Sequence, residues 1–172
     1  MAILVTGGAG FVGSNAVACL IDAGERVVVL DNFVKGHRGA IHPQADLVEG
    51  NILDESALKR IFAEYPIEAV MHFAAYIEVG ESTENPLKYF HNNIAGAHTV
   101  LKQMIEAGVK RFIFSSTAAV YGNPESVPIT EDARTEPINP YGLTKRMVEE
   151  MLEWYDQAMG LRFVAPRYFN AC

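Results

Sequence analysis

Tyr141 and Lys145 stand four residues apart, so on a helix their side chains leave one face a single turn from each other. A phenol and an amine at that spacing form an acid–base pair. An ammonium beside the ring favours the phenolate and is expected to lower the tyrosine pKa toward the working range. Thr117, just past the end of a strand-like run, can hydrogen-bond the same substrate hydroxyl and hold it in line. Y-x-x-x-K arises often by chance, and an ordinary surface pair is its bland explanation. A second cluster, at the other end of the chain, gives it weight. In Thr6-Gly7-Gly8-Ala9-Gly10-Phe11-Val12-Gly13, Gly8, Gly10 and Gly13 spell G-x-G-x-x-G, while Gly7, Gly10 and Gly13 spell T-G-x-x-G-x-x-G. Such glycines allow a tight turn, a close backbone approach to phosphate, and helix-on-strand packing without an intervening side chain. The helix that follows offers unpaired N–H groups and the positive end of its dipole to a pyrophosphate.

The elements needed to position these groups are legible. Ala2 to Val5 and Arg26 to Leu30 are short unbroken apolar runs, the signature of strands buried on both faces, with a helix from Phe11 to Ile21 between them. The second run ends at Asp31, where an acid accepts hydrogen bonds from an adenosine ribose and repels a 2′-phosphate, favouring NAD over NADP. Lys35 and Arg38 follow, read as solvated surface charge. Asp46 to Glu49 is a third strand, with a helix from Glu55 to Ala63 after it. Asn51 between them either offers its amide to an adenine edge or serves as a turn residue. Glu68 to Phe73 is a fourth strand leading into Ala74-Ala75, small enough for backbone to meet a ligand; His72 within it reads as a packed core histidine. Pro86 opens a long helix to Ala107, interrupted by Asn92-Asn93, two poor helix formers that are either exposed or face a cofactor.

Arg111 to Ser116 is a fifth strand. The proline-bearing stretch Gly122 to Pro140 has no periodicity and is read as a functional lid. Tyr141 to Met159 is a helix, and Leu161 to Tyr168 a sixth strand. Strands alternating with helices specify an α/β fold: a Rossmann-like, doubly wound parallel sheet with helices on both faces, ordered 3-2-1-4-5-6.

The chain has 172 residues, 49% hydrophobic and 20% charged, which is one globular domain with a single substantial core. A net charge of −7 without a basic run argues against nucleic acid or an anionic membrane. Met1 to Val5 lacks a signal peptide's basic start, no apolar stretch is long enough to span a bilayer, and Cys19 and Cys172 form neither a disulfide framework nor a metal site. A cytoplasmic, reduced setting and no metal are expected.

With these residues in hand, the chain resembles the extended short-chain dehydrogenase/reductase family, and most closely its UDP-glucose 4-epimerase branch. The matching stretches are TGGAGFVGS, DN at 31–32, HFAAYIEVGES at 72–82, NN at 92–93, FSSTAAVYG at 114–122, YGLTK at 141–145 and RYFN at 167–170. The resemblance implies that Tyr141 is the base, that Lys145 steadies it and grips the nicotinamide ribose, and that Thr117 fills the Ser/Thr position. It places Gly7, Gly10, Phe11, Val12, Asp31, Asn32, Asn51, Ile52, Phe73, Ala74, Ala75, Asn92, Ser115 and Tyr168 at NAD, and Asn170, with Thr117 and Tyr141, at the sugar nucleotide. The implied reaction inverts C4 of a UDP-hexose: Tyr141 takes the 4-hydroxyl proton as the 4-hydride passes to NAD, the 4-keto sugar turns over, and both return.

Three departures stand out. Asn51 replaces an Asp, and Ile77 replaces a lysine near the nicotinamide. The chain also ends at Cys172, about half the family's length, so it is expected to be the N-terminal portion without the C-terminal substrate lobe. The alternatives are epimerases of UDP-N-acetylglucosamine or UDP-glucuronate, a dehydratase, and a non-catalytic dinucleotide-binding module. Ala118-Ala119 after Thr117 removes the acid a dehydratase needs. Met147, Met151, Trp154 and Ala158 share a second face of the last helix, read as core packing or as a homodimer contact, which the resemblance favours.

Overall fold

The computed structural model describes residues 1–171, so Cys172 lies outside the described residues. Six parallel strands form one sheet: β1 (Ala2–Thr6), β2 (Arg26–Asp31), β3 (Asp46–Glu49), β4 (Ile67–His72), β5 (Arg111–Phe114) and, two strands later in the chain, β7 (Arg162–Val164). Their order, β3-β2-β1-β4-β5-β7, is the expected 3-2-1-4-5-6. Val27 through Leu30 are fully buried, as a strand flanked by strands and covered on both faces requires. Strand alternation divides the core. Val5, Val27 and Val29 face helix α1 (Phe11–Asp22) through Val17. Leu4, Val28 and Leu30 face the opposite cluster with Leu58 and Ile61 of α2 (Glu55–Glu64). Each such buried aliphatic contributes about 1.5–3 kcal/mol.

Three expected elements are broken. The fifth strand ends at Phe114 and a short β6 (Ser116–Thr117) leaves the sheet; the sixth splits into β7 and β8 (Arg167–Tyr168), and β6 and β8 pair in parallel as a separate ladder. Ala165-Pro166 causes the second break, since proline brings no N–H to a sheet; its carbonyl instead accepts from Ser116 N at 3.0 Å. The helix expected from Pro86 to Ala107 is α4 (Pro86–Tyr89), a π-helical turn over Phe90–Ala95, and α5 (Gly96–Glu106). Between β4 and α4 lies a further short helix, α3 (Val79–Glu84), absent from the sequence reading.

The π turn has a visible cause. Asn93 is 3% exposed, and its amide oxygen accepts from Tyr76 N at 2.9 Å. Its amide nitrogen donates to Tyr76 O at 2.9 Å and to Thr144 Oγ1 at 3.2 Å. Widening the helix by one residue turns that side chain inward, the kind of local insertion found at functional sites.

The last helix, α6 (Pro140–Met159), starts one residue earlier than expected. Proline at its first position needs no donor, the Asn139 side chain accepts from Gly142 N at 2.8 Å, and Gly160 ends it in the left-handed conformation at φ 67°. Val148 and Leu152 are fully buried against the sheet.

Candidate active site

A groove opens over the carboxyl ends of β1, β2 and β4. Gly7, Gly10, Asp31, Asn32, Ile52, Phe73, Ala74, Ala75 and Asn92 line it, nine of the residues singled out in the sequence. The glycine loop is shaped by contacts no side chain would permit. Gly7 has φ +74°, and a Cβ there would lie 2.6 Å from Ala74 N; one on Gly13 would lie 2.2 Å from Gly7 O. Asp31 holds this loop from below, accepting from Ala9 N at 2.9 Å and Phe33 N at 2.8 Å. Phe33, at φ 58°, is the one non-glycine residue with positive φ among the described residues. Phe11 and Val12 form the first turn of α1, Phe11 projecting into solvent, and no side chain caps that helix start. A cradle closed to any Cβ, open helix-terminal N–H groups and small residues on the facing strand end fit a dinucleotide pyrophosphate.

Asn51 lies outside the groove lining and plays the turn role, its amide oxygen accepting from Leu53 N at 2.9 Å. Ile77 is exposed. Lys35 lines the groove mouth and pairs with Glu78 at 2.6 Å, while Arg38 pairs with Glu49; all four side chains are more than half exposed, so solvent screens both pairs and they add little to stability.

The second cluster sits where β5 leaves the sheet. Lys145 is 3% exposed, and its amine donates to the Ser115 carbonyl at 2.7 Å. Burial pushes its pKa down to about 7. The amine lies 4.8 Å from the Phe114 ring centre and 6.0 Å from that of Tyr141. The Thr117 side chain lies near enough to Tyr141 to oppose the rise in the phenol's pKa, and its hydroxyl accepts from Ala119 N at 3.2 Å. The expected lowering of the Tyr141 pKa is corrected here. Burial holds the phenol above its ordinary value, the Thr117 side chain pulls the other way, and the Lys145 amine is turned to a carbonyl instead of the phenol oxygen.

His72 is the packed core histidine expected. It is fully enclosed, stacked on Phe112 and Phe114, with Nδ1 2.8 Å from Thr6 Oγ1. Burial, with the Lys145 charge adding to it, pushes its pKa to about 3. The two clusters are joined physically, because Asn93 ties Tyr76 on the groove wall to Thr144, which lies between Tyr141 and Lys145. Tyr168 and Asn170 are exposed and are not among the groove-lining residues, and Tyr168 is the register partner of Thr117 across the β6–β8 ladder.

One set of residues escaped the sequence reading. Glu149, 4% exposed, accepts from the Ser116 hydroxyl and from Arg167 at 3.1 and 2.7 Å. Arg167 also donates to the Tyr121 hydroxyl at 2.9 Å. The available signal was the spacing: Tyr141, Lys145 and Glu149 repeat every four residues on the buried face of α6.

Among the described residues, no group of three or more His, Cys, Asp or Glu could hold a metal ion, and no helix is long and apolar enough to cross a membrane.

Known proteins match this geometry. A UDP-glucose 4-epimerase of Halalkalibacterium halodurans is 51% identical over 171 residues, covering 99% of this chain and 51% of the relative. A UDP-glucose 4-epimerase from Brucella ovis, solved in complex with NAD, superimposes with a TM-score of 0.95 at 46% identity, covering 98% of this chain and 51% of that one. Another from Thermotoga maritima, solved with UDP-glucose, gives a TM-score of 0.95 at 40% identity, covering 98% and 55%. The chain thus spans about half the length of the curated relatives it matches. The NAD dependent epimerase/dehydratase family matches residues 3–172, and the chain belongs to that family.

Proposed function

We propose that this chain binds NAD and carries the proton-transfer group of an enzyme that inverts C4 of a UDP-hexose, interconverting UDP-glucose and UDP-galactose. The observation that carries the reading is the meeting of Tyr141, Lys145, Ser115 and Thr117 beside the glycine-lined groove. The names of the relatives, and the NAD and UDP-glucose bound to two of them, point the same way.

Gly7, Gly10, Phe11 and Val12 hold the pyrophosphate, Asp31 and Asn32 the adenosine ribose, and Phe73, Ala74, Ala75 and Asn92 the inner wall. When bound, NAD supplies the hydride acceptor and donor and a fixed positive charge. Thr117 orients the sugar 4-hydroxyl and steadies the Tyr141 phenolate, and Tyr141 takes the proton and returns it after the sugar has turned. Lys145 anchors the helix at the Ser115 carbonyl and supplies a cation when protonated. Asn170 and Tyr168, on the exposed chain end, sit toward the sugar nucleotide and the nicotinamide.

A second copy of the chain covers the outer face of α6. Met151 of that face packs against the core, whereas Met147 and Trp154 are exposed, Trp154 at 69%, and Leu87 of α4 is 80% exposed, leaving apolar surface for a partner to cover. Light scattering at rising concentration is expected to reach dimer mass; monomer mass throughout rejects the assignment.

In the protein extended to its relatives' length, Tyr141→Phe lowers kcat by about 10²–10⁴-fold with UDP-galactose. Full retained turnover would remove Tyr141 from proton transfer. Lys145 gives a pH signature. Its pKa is about 7 folded against an ordinary 10.5, so the folded state binds fewer protons between those values. The cost of burying its charge is complete below the folded pKa and fades as pH rises across that window. Lys145→Met removes that cost, so its Tm relative to the parent is most favourable near about pH 6.5 and declines toward about pH 10. A difference independent of pH contradicts a buried, titrating amine.

A further inference from the structure

Glu149 is one turn beyond Lys145 on the buried face of α6, and it reaches both strands of the β6–β8 ladder. Ser116 and Arg167 are register partners across that ladder, and each bonds to the same carboxylate. Ser116 lies between Ser115, whose carbonyl receives the Lys145 amine, and Thr117, whose side chain lies near Tyr141. Arg167 carries the network on to Tyr121, at the end of the turn that follows Thr117, and its guanidinium stacks 4.8 Å from that ring. Arg146 stands 4.0 Å from the carboxylate oxygen that Arg167 also holds, and pairs with Glu150 at 3.1 Å. Among the described residues no buried side-chain polar atom lacks a partner, so this network is complete.

A buried carboxylate–guanidinium pair is poor value as a source of stability, because desolvation consumes much of the Coulomb gain. Its use here is positional. A helix packed on strands through Val148 and Leu152 alone can slide by fractions of an ångström at little cost. A bidentate carboxylate clamped to two neighbouring strands cannot.

We propose that Glu149, through Ser116, is a positioning residue that sets the spacing between Tyr141–Lys145 on the helix and Ser115–Thr117 on the strand end. The proposal rests on Tyr141 being the proton carrier. Ser116→Ala is the decisive variant, since it cuts the link between clamp and strand while leaving Glu149 paired with Arg167. In the protein extended to its relatives' length, with UDP-galactose, kcat falls about 10- to 100-fold while KM and NAD affinity stay within about twofold, the pattern of misplaced catalytic groups. The kcat–pH profile shifts as well, because the surroundings of Tyr141 and Lys145 both change. Glu149→Gln is expected to show the same split with a lower Tm; if it does not fold, Ser116→Ala decides alone.

Tyr141→Phe runs in parallel. If it is inactive while Ser116→Ala keeps the parent kcat and pH profile, the positioning proposal is overturned and the catalytic reading stands. If Tyr141→Phe is fully active, it is the catalytic reading that falls, and the positioning proposal with it.

Discussion

A buried amine bonded to a strand-end carbonyl is the constraint on which the site depends. The Lys145–Ser115 bond sits where β5 abandons the sheet, and it fixes a helix to a stretch of chain with no strand neighbour in the main sheet. Ser115 N is held in turn by the His72 carbonyl at 3.1 Å, so helix, departing strand and β4 meet at one residue. Burying an amine is unfavourable, and the depressed pKa records that cost. The surroundings offset it: a carbonyl in line, the face of Phe114, and His72 kept neutral by its own burial. Such placement of an ionisable group in a dry corner is how proteins bring acids and bases into the physiological range.

The groove obeys a different constraint, that of backbone approaching backbone. Gly7 against Ala74 and Gly13 against Gly7 leave no room for a side chain, so loop, helix α1 and the end of β4 close on one another. Asp31 spends both carboxylate oxygens on amides of this region and fixes the loop to β2. Asn93 then couples the groove wall to α6 through the π turn. Two sites built on different principles are thereby held at one spacing, as a reaction between a bound cofactor and an acid–base pair requires.

What was readable in the sequence was what is local. The apolar runs of β1 and β2 announce a doubly covered sheet, the glycines announce the turn, and the helix expected over Tyr141–Met159 falls within one residue of α6. Small residues at 74–75 mark a close approach, and the groove does pass there. What was not readable depends on distant partners. Pro166 breaks a strand that hydropathy alone would continue. The interruption at Asn92-Asn93 is legible in two poor helix formers, but its π geometry depends on Tyr76 and Thr144 lying within reach of Asn93. Glu149 looks like any acid on a helix until Ser116 and Arg167 converge on it. The Tyr141 pKa moved against expectation for the same reason: spacing places the amine on the right face, but only the fold decides which oxygen it points to.

The most direct test is a crystal structure of the protein grown with NAD. The account predicts the pyrophosphate over the turn from Gly7 to Gly13 at the start of α1, the adenosine ribose against Asp31, and the nicotinamide ring facing the Tyr141 hydroxyl with Lys145 at its ribose. A dinucleotide bound elsewhere, or one seated in the groove with Tyr141 turned away from the nicotinamide, would contradict it.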